Sequence, residues 1–352
     1  MIPLSLAEIA EIVGGRLHNT DGAEVVTGSV EFDTRRLGSD GLFVAIPGER
    51  VDGHDFAAEA MARGACGVLS AREVAAPAVI VPRVTAAAVH RGVYALAGDS
   101  DGSGAAVLAA LGALAGHVVA RLRAEHGLRT VAVTGSAGKT STKDLLGALL
   151  SGLGETVAPS GSFNNEIGVP WTALQATERT RFLVLEYSAR GVGHIAELAT
   201  MVRPEIGVVL NVGTSHLDEF GSVEAIAQAK GELVEALPAA ADGGVAILNA
   251  DDDRVAAMAT RTEARVITVG ESAAAALRAC EVTSDERDRA RFTLRTALGD
   301  HAVSLGLHGA HQVGNALAAA AVAQQLGADL AAIAQGLATA RAVSGKRMQV
   351  TE

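Results

Sequence analysis

The sequence predicts an α/β fold in which a small N-terminal α/β domain precedes a P-loop-type domain built on a mostly parallel sheet. Three observations predict it. Four short apolar, β-prone runs at 130–133, 182–185, 206–210 and 245–248 are each followed by a helix-compatible segment, the order that lays strands parallel and covers them with helices. The 352 residues include 40 glycines between and around such runs, as a chain of many βα turns requires. Finally, Gly98-Asp99-Ser100-Asp101-Gly102-Ser103-Gly104 carries no large apolar residue and reads as a linker or exposed turn. It divides the chain into an expected first domain, 1–99, and a central domain, 100–344.

The chain opens with a helix, because Ser5-Leu6-Ala7-Glu8 is a capping box, Ile9, Ile12 and Val13 form an apolar stripe, and Gly14-Gly15 ends it. Strands are expected at 24–30, 42–46, 67–70 and 78–82, with a helix over 55–63 among them. A long alanine-rich helix follows the linker. Beyond the parallel strands, 289–307 alternates like antiparallel strands, and a closing helix spans 313–325.

With 49% hydrophobic residues the chain can bury more than one core. A net charge of -11 and 3% aromatic residues argue against nucleic acid, which needs surplus cations and stacking surfaces. Only Cys66 and Cys280 occur, so no disulfide framework is indicated and cytoplasmic location is the expectation. The start has no basic region followed by an apolar stretch. No apolar run is expected to reach the length of a membrane span, so membrane insertion is not expected. Of the 29 cations only Lys139, Lys143, Lys230 and Lys346 are lysines, leaving 25 arginines. In such a chain a lysine marks a place where guanidinium cannot serve.

Val131-Ala132-Val133-Thr134-Gly135-Ser136-Ala137-Gly138-Lys139-Thr140-Ser141 is a strand, a glycine-containing loop and a helix start. Backbone N–H groups of such a loop surround phosphate oxygens, Lys139 adds positive charge, and Thr140 offers a hydroxyl to Mg²⁺. Only Ser136 and Ala137 separate Gly135 from Gly138, so the loop is shorter than the usual P-loop; an ordinary capped βα turn is the plain alternative. Glu186 closes the run Phe182-Leu183-Val184-Leu185, at a strand end where ligands of open α/β sheets bind. Taken alone, such a glutamate more commonly caps a helix or pairs with a cation.

The loop Thr-Gly-Ser-Ala-Gly-Lys-Thr-Ser resembles the shortened ATP loop of the Mur ligase family. The resemblance continues at Gly161-Ser162-Phe163-Asn164-Asn165-Glu166-Ile167-Gly168-Val169-Pro170, similar to the family's asparagine-rich loop beside the γ-phosphate and acceptor peptide. It implies that Glu186 and His216, within Asn211-Val212-Gly213-Thr214-Ser215-His216, join Thr140 as Mg²⁺-associated residues. It further implies that Lys230 of Ala229-Lys230-Gly231-Glu232 can be carbamylated, chemistry that needs a neutral primary amine and excludes arginine. Asn249 and Asn315 are implied on the adenine side of ATP, where an amide both donates and accepts, although turn and helix-start chemistry explains them as well. Arg347 is counted with the nucleotide-binding positions. Asn165, with Lys139, Glu186, His216 and Lys230, makes up the implied catalytic set.

Within the first domain, Glu31-Phe32-Asp33-Thr34-Arg35, 41–48 and Asp52-Gly53-His54 look like the family's UDP-sugar-binding domain, so Asp33, Thr34 and Arg35 are candidate substrate contacts, together with Asn164, Asn165, Ser188 and Arg190. This points to the branch that joins D-alanyl-D-alanine to UDP-N-acetylmuramoyl-tripeptide through an acyl phosphate, with a monomer expected. Thr34 stands where the family has Ser, and Tyr187-Ser188 where it has a smaller pair such as Met-Gly. Residues 345–352 fall where the family's third domain should begin, so the chain by itself is expected to ligate poorly. A non-catalytic relative that binds UDP-sugar peptide, or a Mur-like ligase of secondary metabolism, is the alternative. A P-loop kinase or GTPase is disfavoured because no Asn-Lys-x-Asp guanine motif occurs.

Overall fold

A computed structural model describes residues 1–48, 51–84, 99, 101–215, 217–341 and 343–344. It divides into two compact units, Met1–Gly127 with Glu166–Arg179, and Leu128–Asn165 with Thr180–Glu352. The expected linker at 98–104 lies partly outside the described residues.

The first unit begins with β1 (Leu4–Ser5) and α1 (Leu6–Val13). The capping box forms: Ser5 N–H donates to Glu8 Oε2 at 2.7 Å and Glu8 N–H to Ser5 Oγ at 3.2 Å. Strands β2 (Arg16–His18), β3 (Val25–Val26), β4 (Val30–Glu31) and β5 (Gly41–Val44) follow, then α2 (Ala57–Ala62), β6 (Ala65–Ser70), β7 (Ala78–Ile80) and α3 (Ser103–His126). The main sheet runs β2-β7-β6-β5-β4, parallel except at β2–β7, and β1 pairs with β3 separately. Phe43, Ala57, Val68 and Ile80 centre its core.

Two expectations are corrected in this unit. The single strand at 24–30 is two strands in different sheets, because Thr27 and Gly28 turn their N–H groups to Asp40 O, at 3.1 and 2.9 Å. A Cβ at Gly28 would collide with the Ser39 carbonyl, so the break needs glycine. The helix at 55–63 starts as a 3₁₀ turn, Gly53–Phe56, capped by Asp52, and only then becomes α2.

α3 was expected in the second domain, but it packs against α1 and the later helix Gly168–Ala173, both in the first unit. Asp99 caps it, accepting from Gly104 N–H at 3.1 Å and Ala105 N–H at 2.9 Å. Its 24 residues are, by length and composition, long and apolar enough to cross a membrane, contrary to the expectation for this chain. However, 67% of that apolar window is buried within the protein.

The second unit is a nine-stranded sheet in the order β16-β15-β14-β13-β12-β11-β8-β10-β9. Its elements are β8 (Arg129–Thr134), α4 (Lys139–Leu150), β9 (Thr156–Val157), β10 (Phe182–Glu186), α6 (His194–Met201), β11 (Ile206–Val209), α7 (Leu217–Phe220), α8 (Val223–Glu235), β12 (Val245–Asn249), α9 (Asp253–Ala256), β13 (Arg265–Gly270), β14 (Leu277–Ser284), β15 (Arg289–Thr296), β16 (Gly299–His308), α10 (Gln312–Gln325) and α11 (Leu330–Thr339); α5 is Gly168–Ala173 of the first unit. All pairs from β9 to β14 are parallel, and β15 and β16 are antiparallel additions. The four expected parallel strands, the antiparallel pair and the closing helix are all present. β13 and β14 are additions, half-polar strands that leave the centre of the sheet.

Val131, Val133, Leu145, Phe182, Val208, Ile247 and Leu317 belong to one core, on which α4 and α10 pack together. From β8 the chain passes through β9 and β10 on one side, then returns to β11 on the other. That reversal puts the carboxyl ends of β8, β10 and β11 around one crevice, the place where open α/β sheets bind ligands.

Candidate active site

The loop after β8 is shaped by glycine and clamped by asparagine. Gly138 has φ +86°, and a Cβ there would collide with Asn315 Oδ1. Asn211, just past β11, accepts from Ala137 N–H at 2.9 Å and donates to Ala137 O at 3.2 Å, while Ser136 N–H donates to Asn211 O at 3.1 Å. Gly213 N–H donates to Ser136 Oγ at 2.9 Å. Lys139 begins α4 and folds its Nζ back to Gly135 O at 2.7 Å. Thr140 and Ser141 occupy the first turn of α4, so the positive end of that helix and the Lys139 ammonium both lie at this loop.

Glu186 closes β10 beside this loop. Its Oε2 accepts from Thr140 Oγ1 and Ser162 Oγ, each at 3.1 Å, and Ser162 Oγ accepts from Asn164 Nδ2 at 2.8 Å. Ser188 N–H donates to Asn164 O at 3.0 Å, which ties the asparagine-rich segment to the strand end. Glu186 Oε1 is buried and has no partner among the described residues. Burial pushes the Glu186 carboxyl up, opposed by the Lys143 charge and by the two hydroxyl donors. A hydroxyl and a carboxylate with an orphaned oxygen suit a hard, oxygen-seeking cation such as Mg²⁺. Among the described residues no group of three or more His, Cys, Asp or Glu side chains could hold a metal by itself. His216 and Arg347 lie outside the described residues.

Tyr187 does not enter this crevice. Its side chain is fully buried and its hydroxyl donates to Val202 O, while its backbone N–H donates to Val133 O at 2.9 Å. The large residue therefore fills the interior beneath the strand end. Arg190 N–H donates to His194 Nδ1 at 3.4 Å, at the entry to α6.

Lys230 lies on α8 and is 5% exposed. Burial, with repulsion from Lys139, lowers its ammonium to about 7, which leaves a neutral amine available near neutral pH. Two residues on, Glu232 caps α6, accepting from Gly193 N–H at 2.6 Å, Ile195 N–H at 3.1 Å and Ala196 N–H at 3.0 Å. An anion at a helix start satisfies donors that the helix cannot.

Asn249 and Asn315 line the same small cavity of about 120 Å³, with Leu210, Asn211 and His311. Asn249 also performs turn chemistry, donating to Leu210 O and accepting from Asp251 N–H, both at 2.9 Å. Asn315 Nδ2 donates to Gln312 Oε1 at 3.0 Å. The first unit holds a separate cavity of about 950 Å³, lined by Phe32, Asp33, Thr34, Arg35, Glu59 and Arg63 among others. There Arg35 makes a fork to Asp33, with Nε–Oδ1 at 2.9 Å and Nη2–Oδ2 at 2.7 Å, which holds Asp33 down at about 2. Thr34 Oγ1 and Arg63 Nε both donate to Glu59 Oε1, at 3.0 and 2.8 Å.

Asn211, Ser162, Lys143 and Glu232 carry no role of their own in the sequence motifs, yet they contact these groups or set their charge in the structure. Asn211, Ser162 and Glu232 each lie inside a motif and Lys143 among the four lysines, but nothing in the sequence joins them to their partners.

Residues 133–323 match the family profile described as Mur ligase middle domain, and residues 27–115 that described as Mur ligase family, catalytic domain. The UDP-N-acetylmuramoyl-tripeptide--D-alanyl-D-alanine ligase of Mycobacterium tuberculosis is 54% identical over 355 residues, covering 100% of this chain and 68% of that protein. The Escherichia coli enzyme of the same name is 36% identical, covering 98% and 70%. Among solved structures, MurF from Acinetobacter baumannii superposes with TM-score 0.82 at 29% identity, over 99% of this chain and 71% of that one. MurF from Thermotoga maritima, solved in complex with ADP, superposes with TM-score 0.70 at 25% identity, over 88% and 66%.

Proposed function

The chain belongs to the Mur ligase family, and from that premise we propose that it performs the ATP-dependent joining of D-alanyl-D-alanine to UDP-N-acetylmuramoyl-tripeptide. The observation that carries the site assignment is the chain of contacts from Thr140 through Glu186 to Ser162 and Asn164, which sets the phosphate loop, a carboxylate with an orphaned oxygen and the asparagine-rich segment side by side.

In this reading the loop N–H groups and Lys139 bind the phosphates of ATP, and the Asn249–Asn315 cavity takes the adenine. Thr140 and Glu186, with His216, would hold Mg²⁺, which would supply positive charge against the phosphates. Asn165 and Asn164 orient the tripeptide's terminal carboxylate, whose oxygen attacks the γ-phosphorus as the bond to the β,γ-bridging oxygen breaks and ADP leaves. The D-alanyl-D-alanine amine then attacks the acyl carbon, the carbon–oxygen bond to phosphate breaks, and the amine's proton passes to solvent. The residues contribute by positioning and by fixed charge, the larger share of catalysis in phosphoryl transfer. The neutral Lys230 amine would add to CO2 and release one proton, giving a carbamate whose negative charge lies within the electrostatic reach of Lys139. The cavity beside Asp33, Thr34 and Arg35 takes the UDP-sugar, Arg35 exchanging its fork to Asp33 for a diphosphate oxygen, while Ser188 and Arg190 line the acceptor peptide's path. The protein works as a cytoplasmic monomer, without membrane insertion.

The test is phosphate release from ATP, measured on this chain and on a chain extended to the length of its relatives. Release that requires both UDP-N-acetylmuramoyl-tripeptide and D-alanyl-D-alanine supports the ligase. ATP binding without release in either form contradicts it.

A further inference from the structure

We propose that Lys143, a lysine with no part in the scheme above, is a positioning residue that fixes the 159–165 segment against the phosphate-loop helix, and so sets where Ser162 and Asn164 present their side chains. The proposal rests on the ligase reading only for its effect on turnover. Lys143 sits on α4, one turn beyond Lys139, and is 3% exposed. Its Nζ donates to Pro159 O, to Gly161 O at 3.1 Å and to Ser344 Oγ at 3.3 Å, and pairs with Asp144 Oδ1 at 2.9 Å. Ser344 completes the knot, accepting from Gly161 N–H at 2.9 Å and donating from Oγ to Asp144 Oδ1 at 3.0 Å and from its N–H to Asp144 Oδ2 at 3.1 Å.

A buried ammonium is costly unless its donors are all met, and here carbonyl, hydroxyl and carboxylate oxygens meet them. The converging geometry suits a compact three-donor ammonium; a planar guanidinium would need more room and a flat array of acceptors. That explains a lysine at 143 in a chain holding 25 arginines against four lysines. Residue 161 is held at both its N–H and its carbonyl, and its φ of +96° turns the chain into Ser162. Ser162 is the hydroxyl that donates to Glu186, so the knot ends one residue from the candidate metal carboxylate. The Lys143 charge also favours the ionised form of Glu186. One cation thereby links the phosphate-loop helix, the asparagine-rich segment and Ser344.

Lys143→Met, Lys143→Arg and Ser344→Ala test this, each read by amide hydrogen exchange, ADP affinity and, in the extended chain, ligation kinetics. Lys143→Met is expected to raise exchange in 159–165 by about tenfold or more and to cut kcat comparably, with ADP affinity within about twofold, as loss of a charged hydrogen-bonding group implies. The half-saturating Mg²⁺ concentration rises with it. Lys143→Arg does not restore the wild-type values, and Ser344→Ala shifts the same quantities by a few-fold without unfolding the chain. Unchanged exchange and Mg²⁺ dependence in Lys143→Met, full function in Lys143→Arg, or a Ser344→Ala variant altered only in Tm would overturn the proposal. If the wild type does not ligate, the ligase reading fails while exchange and ADP affinity still judge the role of Lys143.

Discussion

The carboxamide oxygen of Asn315 occupies the space that a Cβ at position 138 would need. A residue from α10 thus closes the loop after β8 from outside, and glycine, with φ +86° at position 138, is the residue type that satisfies both the backbone and the packing. Gly138→Ala is expected to weaken ADP binding at least about tenfold and to cost on the order of 1–3 kcal/mol of stability, through backbone strain and displacement of Asn315. Calorimetric titration with ADP beside a thermal melt checks it. Unchanged affinity would mean that the loop reshapes freely.

Asn211 holds the peptide of Ala137 by both its N–H and its carbonyl. Asn211→Ala leaves the loop unclamped, and two lost hydrogen bonds at about 0.5–1.5 kcal/mol each correspond to roughly a tenfold loss of nucleotide affinity with the fold retained. Asn211→Asp keeps the acceptor and loses the donor, so it should fall between the two. An alanine variant with full affinity would show the loop to be rigid by itself.

Glu232 answers three backbone N–H groups at the start of α6. Glu232→Ala leaves them without a side-chain acceptor and is expected to cost about 1–3 kcal/mol in urea unfolding, more than Glu232→Gln, which keeps one acceptor oxygen. Equal costs for the two would argue that charge and acceptor geometry do not matter at this helix end.

Much of this was readable in the sequence. The strand, loop and helix start at 131–141 are legible because their signals are local: an apolar run, two glycines and a lysine in eleven consecutive residues. The place of Glu186 at the end of β10 was readable from the apolar run before it. The clamps were not, since Asn211 lies 74 residues from Ala137, and Ser344 lies 183 residues from Gly161. Nothing in spacing or periodicity connects such pairs until the sheet order brings β8 and β11 together. The split of the expected strand at 24–30 has the same origin, since Gly28 yields to a carbonyl twelve residues away. The fate of Tyr187 was hidden because alternation along a strand gives a face but not the depth of the space behind it.

Lys230 gives the pH dependence. Its proton leaves near 7 in the folded chain and near 10.5 in the unfolded one, so between these values the unfolded state holds the extra proton and stability rises with pH. Below about 7 the full cost of the buried ammonium is present. Lys230→Met should therefore be more stable than the wild type at pH 6.5 in CO2-free buffer, with the gap closing as pH approaches 10. Urea unfolding at several pH values measures this, and a gap independent of pH would contradict it. The same variant should lose ligation, because it can form no carbamate.

Transfer of oxygen from acceptor to phosphate distinguishes an acyl phosphate route from any route that leaves the carboxylate oxygens in place. UDP-N-acetylmuramoyl-tripeptide with both terminal carboxylate oxygens labelled as 18O is ligated to D-alanyl-D-alanine by the extended chain, and the released phosphate is examined by mass spectrometry. Attack of the carboxylate on the γ-phosphorus predicts one 18O in each phosphate released; phosphate free of label would contradict the acyl phosphate route and the site built around Thr140 and Glu186 to support it.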